Sequence, residues 1–399
     1  MPAKPAIQAL TGLRFFAALF VALHHFGQLI DYPYWLALLL RHGVAGVTFF
    51  FVLSGFVLTY NYYDRFSSGL SGYGDFLWAR MARIGPMHLL THLAITPFTL
   101  LVLASNHLVS PTTAAVSWLS NLFLVQAYVP VYGFQIWNTP AWSLCNEAFF
   151  YLLLPVLIRG LLVPLGRRQP PLRLATGVYW LGGVVVLATV WVDARLVFWS
   201  PPFQLWVFLL GCIAALAYLR PDELKRQRFI DQLKTSRRSR EVVLGVSLIA
   251  ILASVLALPE GSAALNICVA PAFLGLIVAV ASGRTCLGAL LQTRPLLFLG
   301  EASYSLYILH YLPVCLATFL FGANPSAGGA PWWTNTAPTG CALGQVPSLS
   351  LLVITVGTSL VCYRWVESPA RRWLRAQRQS SSPPVRLGLI QERQVRPMT

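Results

Sequence analysis

The sequence predicts an all-α fold, a polytopic integral membrane helical bundle of about ten transmembrane helices with both termini on the cytoplasmic side. Three observations carry this. Of 399 residues, 56% are apolar or aromatic and only 11% are charged, against about 25% charged in an ordinary soluble domain. The apolar residues fall into runs of about the 20 residues that a helix needs to cross the hydrocarbon core. Lysines and arginines cluster between these runs, in alternate loops and so on one side of the membrane.

The predicted spans lie near 9–30, 44–61, 87–106, 141–163, 174–192, 202–219, 242–258, 265–282, 296–320 and 348–366. A further stretch, 112–128, is apolar but short and interrupted by Ser117, Ser120, Asn121 and Gln126, and is expected to be re-entrant or interfacial. With the N-terminus inside, all 29 Lys and Arg residues except Arg14, Arg41 and Arg195 fall in cytoplasmic segments. That is the positive-inside bias. The net charge of +16 therefore reads as orientation; a nucleic-acid surface would need a basic stripe with interleaved aromatics.

The first run carries Arg14 and lacks a small-residue cleavage pattern, so it reads as a retained span. Seven cysteines are scattered without CxxC spacing, which supports neither a disulfide framework nor a metal centre. Two long outer loops are expected, 107–140 and 321–347; the first carries Tyr128, Tyr132, Gln135, Trp137 and Asn138, suited either to an acceptor site or to an interfacial aromatic belt. Residues 1–370 form one membrane-embedded domain in this reading, and 371–399 a basic, disordered cytoplasmic tail.

Ionisable residues inside spans are costly and mark function by default. The first span holds Arg14, His24 and His25. Eleven residues at 100° each return His25 to within about 20° of the face of Arg14, whereas His24 points about 80° away. At 1.5 Å per residue the two lie about 16 Å apart, so they suit opposite ends of one elongated substrate rather than a contact pair. Taken singly, Arg14 also fits a snorkelling residue and His25 an interfacial one. Glu147 stands about two turns into its span, where a carboxylate needs a partner; a place near a helix start behind Thr139, Pro140 and Ser143 is the plainer reading. Arg80 and Arg83, at i and i+3 before Pro86, can grip phosphates or anchor the helix to headgroups. His310 lies on a Ser/Tyr-rich face and suits hydrogen-bonded packing as well as chemistry.

These residues sit in six ordered blocks that resemble the acyltransferase family 3 membrane proteins over nearly the whole chain: LTGLRFFAALFVALHH at 10–25, GVTFFFVLSGFVLTY at 46–60, FLWARMARIGPMHLL at 76–90, TPAWSLCNEAFFYLLLP at 139–155, LGEASYSLYILHYLP at 299–313 and WVESPARRWL at 365–374. Two positions depart from the family pattern: Thr48 stands where many members have Asp, and Ala148 where a second Glu is common. Such proteins O-acylate bacterial surface glycans and, in some members, macrolides. The resemblance implies an acyl-CoA-type donor, with no bound cofactor and no metal, and a hydroxyl of a sugar, lipid-linked glycan or polyketide as acceptor, at the bacterial cytoplasmic (inner) membrane.

Carried onto this chain, the family's elements place Arg14 with His25 and Arg80 with Arg83 in the site. The expected roles are general base for His25, with Glu147 orienting it, and donor binding for Arg14, Arg80 and Arg83. His24, Ser143 and His310 are further candidates. Ser54 and Ser143 keep a covalent acyl route open, although Ser54-Gly55 in an apolar helix also suits close packing. The competing class is a transporter or flippase, which predicts internal pseudo-symmetry; none is visible in the sequence.

Overall fold

The computed structural model of the chain describes residues 4–27, 29–30, 32–106, 110–129, 137–164, 171–219, 228–259, 262–321 and 345–380. Tyr132, Gln135, most of the 321–347 loop, Cys341 and the tail beyond 380 lie outside them. Among the described residues every regular element is a helix. In order these are α1 (Gln8–Phe26), α2 (Tyr34–Leu40), α3 (Ala45–Ser67), α4 (Tyr73–Asn106), α5 (Pro111–Leu122) and α6 (Trp142–Leu157). There follow α7 (Pro171–Trp199), α8 (Pro201–Leu219), α9 (Arg228–Thr235), α10 (Arg237–Ala257) and α11 (Ala263–Ala281). The last are α12 (Cys286–Leu291), α13 (Arg294–Glu301), α14 (Ser303–Leu309), α15 (Tyr311–Phe321), α16 (Gln345–Cys362) and α17 (Ser368–Ser380).

Helix starts follow local chemistry. Ser110, Ser236, Ser262 and Thr285 each accept a hydrogen bond from the backbone N–H three residues on, opening α5, α10, α11 and α12. Length and apolarity make eight stretches of the described chain able to cross a membrane. Among the described residues these criteria bear out a multi-span helical bundle without fixing the expected count of about ten. Residues 174–192 fall in α7, a helix of 29 residues. The expected single span 296–320 is divided into α13, α14 and α15, with breaks at Ala302 and His310. Pro313 has no N–H to give the Leu309 carbonyl, which loosens the second break. Stretch 112–128 becomes the 12-residue α5 and a 3-10 turn at Gln126–Tyr128. At about 18 Å, α5 is too short to cross.

The outward faces are what lipid requires. On α10, Val242, Val246, Ile249, Leu252 and Leu256 are exposed, and on α16 Val346, Val353, Ile354 and Val361. In water such continuous apolar faces would be a liability. Inside, α3 packs backbone to backbone on α8: a Cβ on Gly55 would collide with the Phe208 carbonyl, and one on Gly211 with the Val52 carbonyl. Thr48, the first departure from the family pattern, donates to Asn266 Oδ1 at 2.7 Å and so joins α3 to α11.

A π-helical turn, Tyr363–Glu367, joins α16 to α17. Such turns shift the facing of a helix locally, and here Glu367 ends fully buried. Helix continues through Ser380, whereas the sequence reading began an unstructured tail at 371. Tertiary contacts account for the difference. Trp78 Nε1 donates to the Leu374 carbonyl at 2.7 Å, and Arg378 Nε pairs with Asp75 Oδ1 at 3.0 Å, so α17 lies antiparallel along the start of α4.

Candidate active site

Five helices line a cavity of about 100 Å³. α1 contributes Arg14, α3 Ser54, α4 Arg80 and Arg83, and α6 Ser143, Glu147 and Tyr151, while α14 closes it with Tyr304 and Tyr307. Arg14, Arg80, Arg83, Glu147 and Ser143, widely separated in sequence, thus meet at one place. α4 runs straight through Pro86 rather than starting at it, so both arginines are held on the spanning helix itself. Tyr304 donates to the Ile84 carbonyl at 2.6 Å, which pins α14 beside Arg83.

Within the cavity Glu147 accepts from Tyr151 at 2.6 Å and from Ser54 at 3.4 Å. Tyr151 is at i+4, a pairing that helical spacing makes available. Arg14 lies in the electrostatic field of Arg83, Glu147 and Glu367. Among the described residues, however, no arginine stands within the 4 Å of an ion pair with Glu147. Arg80 donates to Tyr62 at 3.4 Å and rests its guanidinium over the rings of Tyr62 and Phe76. Its Nε is buried without a partner. The cavity is thus lined by three guanidiniums and one hydroxyl-bound carboxylate, a set that favours an anionic guest.

His25 lies elsewhere. It is buried near the other end of α1, with Nδ1 3.0 Å from the Val21 carbonyl and 3.0 Å from His310 Nε2. His310 Nδ1 is 3.2 Å from the Leu306 carbonyl. A carbonyl only accepts, so neutral His310 carries its proton on Nδ1 and offers Nε2 as an acceptor. His25 then carries its own proton on Nδ1, shared between Val21 and His310. The lone pair of His25 is left on Nε2. These tautomers are assigned from the hydrogen-bond network rather than seen as hydrogens.

Two expectations are corrected. Glu147 does not orient His25: its hydrogen bonds go to Tyr151 and Ser54, because it stands at the Arg14 end of α1, about 16 Å of helix rise from the histidine. The residue placed against His25 is His310, brought from 285 positions along the chain. His24, on the other side of the helix, meets the Leu40 carbonyl at 3.2 Å and ties α1 to α2. Trp137 and Asn138 of the expected aromatic outer series are buried. Trp137 donates to Ser117 at 2.8 Å, and Asn138 Nδ2 to Thr91 and to the Ile308 carbonyl, both at 3.2 Å. Trp137 thus holds α5, and Asn138 ties α4 to α14.

Tyr307, which the sequence reading did not single out, bridges the two halves. It lines the cavity, and its hydroxyl donates to Ser143 Oγ at 2.7 Å while Ser143 donates to the Pro140 carbonyl at 3.0 Å. Its ring stands 6.0 Å from that of His310, which is 5.0 Å from that of His25. Spacing held a signal for it, since Tyr307 precedes His310 by three residues on one helical face. Among the described residues no group of three metal-ligating side chains is gathered.

The sequence profile of the family described as "Acyltransferase domain" matches residues 7–364. Acyltransferase MdmB of Streptomyces mycarofaciens is 29% identical, over 96% of this chain and 96% of its own length. O-acetyltransferase OatA of Staphylococcus aureus is 26% identical over 92% of this chain. A protein named putative O-acetyltransferase SACOL0978, also from Staphylococcus aureus, is 24% identical over 92% of it. The chain spans 57% of the length of each of these two staphylococcal proteins. No solved structure matches the chain at a significant level.

Proposed function

Because the chain belongs to acyltransferase family 3 and is a membrane O-acyltransferase, we propose that it moves a short acyl group from an acyl-CoA-type thioester to a hydroxyl of a sugar, lipid-linked glycan or polyketide. The observation that supports this most is the line of groups from the arginine-walled cavity through Tyr307 to the His310–His25 pair. Arg14, Arg80 and Arg83 hold the donor's phosphates at the end that the charge bias assigns to the cytoplasm. The thioester arm points past Tyr307. The acceptor hydroxyl approaches His25 from the opposite end, and the setting is the bacterial cytoplasmic membrane.

His25 Nε2, the atom with the free lone pair, takes the acceptor's hydroxyl proton as its oxygen attacks the thioester carbon. The C–O bond forms, the C–S bond breaks, and the imidazolium returns its proton to the leaving thiolate. His310 positions the base by fixing its tautomer, the service that the carboxylate performs in a serine triad. Ser54 and Ser143 point their hydroxyls at Glu147 and the Pro140 carbonyl, commitments that suit a lining role better than a nucleophile's.

Release of free CoA by purified protein tests the reading. Direct transfer predicts release only when a hydroxylated acceptor is present. Movement of acceptor across proteoliposomes with no thioester consumed would mark a carrier instead.

A further inference from the structure

We propose that α17 extends the donor site, with Arg371 and Arg375 joining Arg80 and Arg83 of α4 in a platform for the 3′-phosphoadenosine diphosphate end of a coenzyme A donor. This rests on the thioester-donor reading and adds a place for the nucleotide. Register is the first support. Arg378 meets Asp75 and Leu374 meets Trp78, so each further turn of α4 meets one turn back along α17. That register brings Arg375 and Arg371 alongside Arg80 and Arg83. Arg375 accordingly lies in the electrostatic field of Arg80, Arg371 and Arg83.

A shortage of carboxylate is the second support. Glu367 is 3.9 Å from Arg371 and fully buried, and its other oxygen is taken by Ser305 at 2.7 Å. Among the described residues Arg80, Arg83 and Arg375 have no carboxylate within 4 Å. Gathering these four guanidiniums about Glu367 and Glu147 leaves an excess of positive charge whose mutual repulsion costs free energy, and a polyphosphate between them reverses that cost.

Exposure supplies the direction. Arg375 is exposed, Arg371, Arg80 and Arg83 are half-buried, and Arg14 stands within the cavity. The row therefore leads from the surface into the cavity, and suits a ligand with phosphates at one end and a long neutral arm at the other. Arg375 lies beyond both the residues 7–364 matched by the family profile and the family-like block at 365–374.

A lipid phosphate offers the same chemistry, so the test separates the two. Full-length protein is placed in phosphatidylcholine nanodiscs, and equilibrium binding of coenzyme A and of dephospho-coenzyme A is measured for wild type and for Arg371→Gln/Arg375→Gln. The double variant is expected to bind coenzyme A about tenfold or more weakly, with a smaller loss for dephospho-coenzyme A, because charge-assisted hydrogen bonds to phosphate are lost. Arg375→Gln alone, at an exposed site, gives the same direction if the double variant does not fold. Unchanged coenzyme A binding in folded variants overturns the platform and leaves the donor reading standing. Unchanged coenzyme A binding, with weaker enrichment of phosphatidylglycerol around the variants in parallel nanodiscs made from both lipids, also overturns it, assigning the arginines to lipid. No coenzyme A binding by wild type removes the donor reading and the platform together.

Discussion

At the scale of single residues, the proposed reaction turns on the tautomer of His25. A side chain at position 310 that accepts a hydrogen bond should preserve part of the function, and an apolar one should not. His310→Gln, with its amide oxygen toward His25 Nδ1, is expected to keep measurably more acyl transfer than His310→Phe, and to leave the wild-type pH profile less disturbed. Equal losses in the two variants would mean that His310 serves packing alone. Glu147, whose partners are Tyr151 and Ser54, belongs to the donor end. Glu147→Gln should therefore raise the KM for the acyl donor and leave the pH profile of kcat unchanged, a split that an orienting contact with His25 would not give.

At the scale of elements, the α3–α8 contact is the part of the bundle least able to accept bulk. Gly211→Leu drives a side chain into the Val52 backbone, and overpacking of this kind costs about 1–3 kcal/mol or more. A lower thermal midpoint of the detergent-solubilised variant is the expected result. Individual helices were largely legible in the sequence because hydrophobic length and Ser or Thr caps are local properties. The division of 296–320 was less so, since whether a proline breaks a buried helix depends on what neighbours offer the freed carbonyl. The helical start of the tail was invisible for a related reason. Its Arg-rich sequence has no apolar run, and its order comes from Trp78 and Asp75 of a distant helix.

At the scale of the whole molecule, orientation and site belong together. In the proposed orientation, which charge bias predicts, the N- and C-termini share the cytoplasmic face with Arg80 and Arg83, where a coenzyme A thioester would arrive. A C-terminal reporter that is active only in the cytoplasm should be active on this chain. Of the site, the sequence displayed Arg14, Arg80, Arg83, Glu147 and His25, because charge inside apolar runs is conspicuous. It also displayed the shared face of Arg14 and His25, which a single helix determines. The partnering was not legible: which of Glu147 and His310 would meet His25 depends on how α1, α6 and α14 pack, and no local spacing encodes that. Mass spectrometry of surface glycans and extracts from a deletion strain should reveal a lost acyl increment on the acceptor.

In the proposed mechanism a base at one end of α1 serves a donor held at the other. The most direct measurement of this is CoA release in the presence of acceptor by His25→Ala, purified alongside wild type and matched to it in thermal midpoint. Loss of a general base predicts a rate lower by about 10²–10⁴-fold, with coenzyme A binding retained. A folded His25→Ala protein that transfers acyl groups at the wild-type rate would contradict the account.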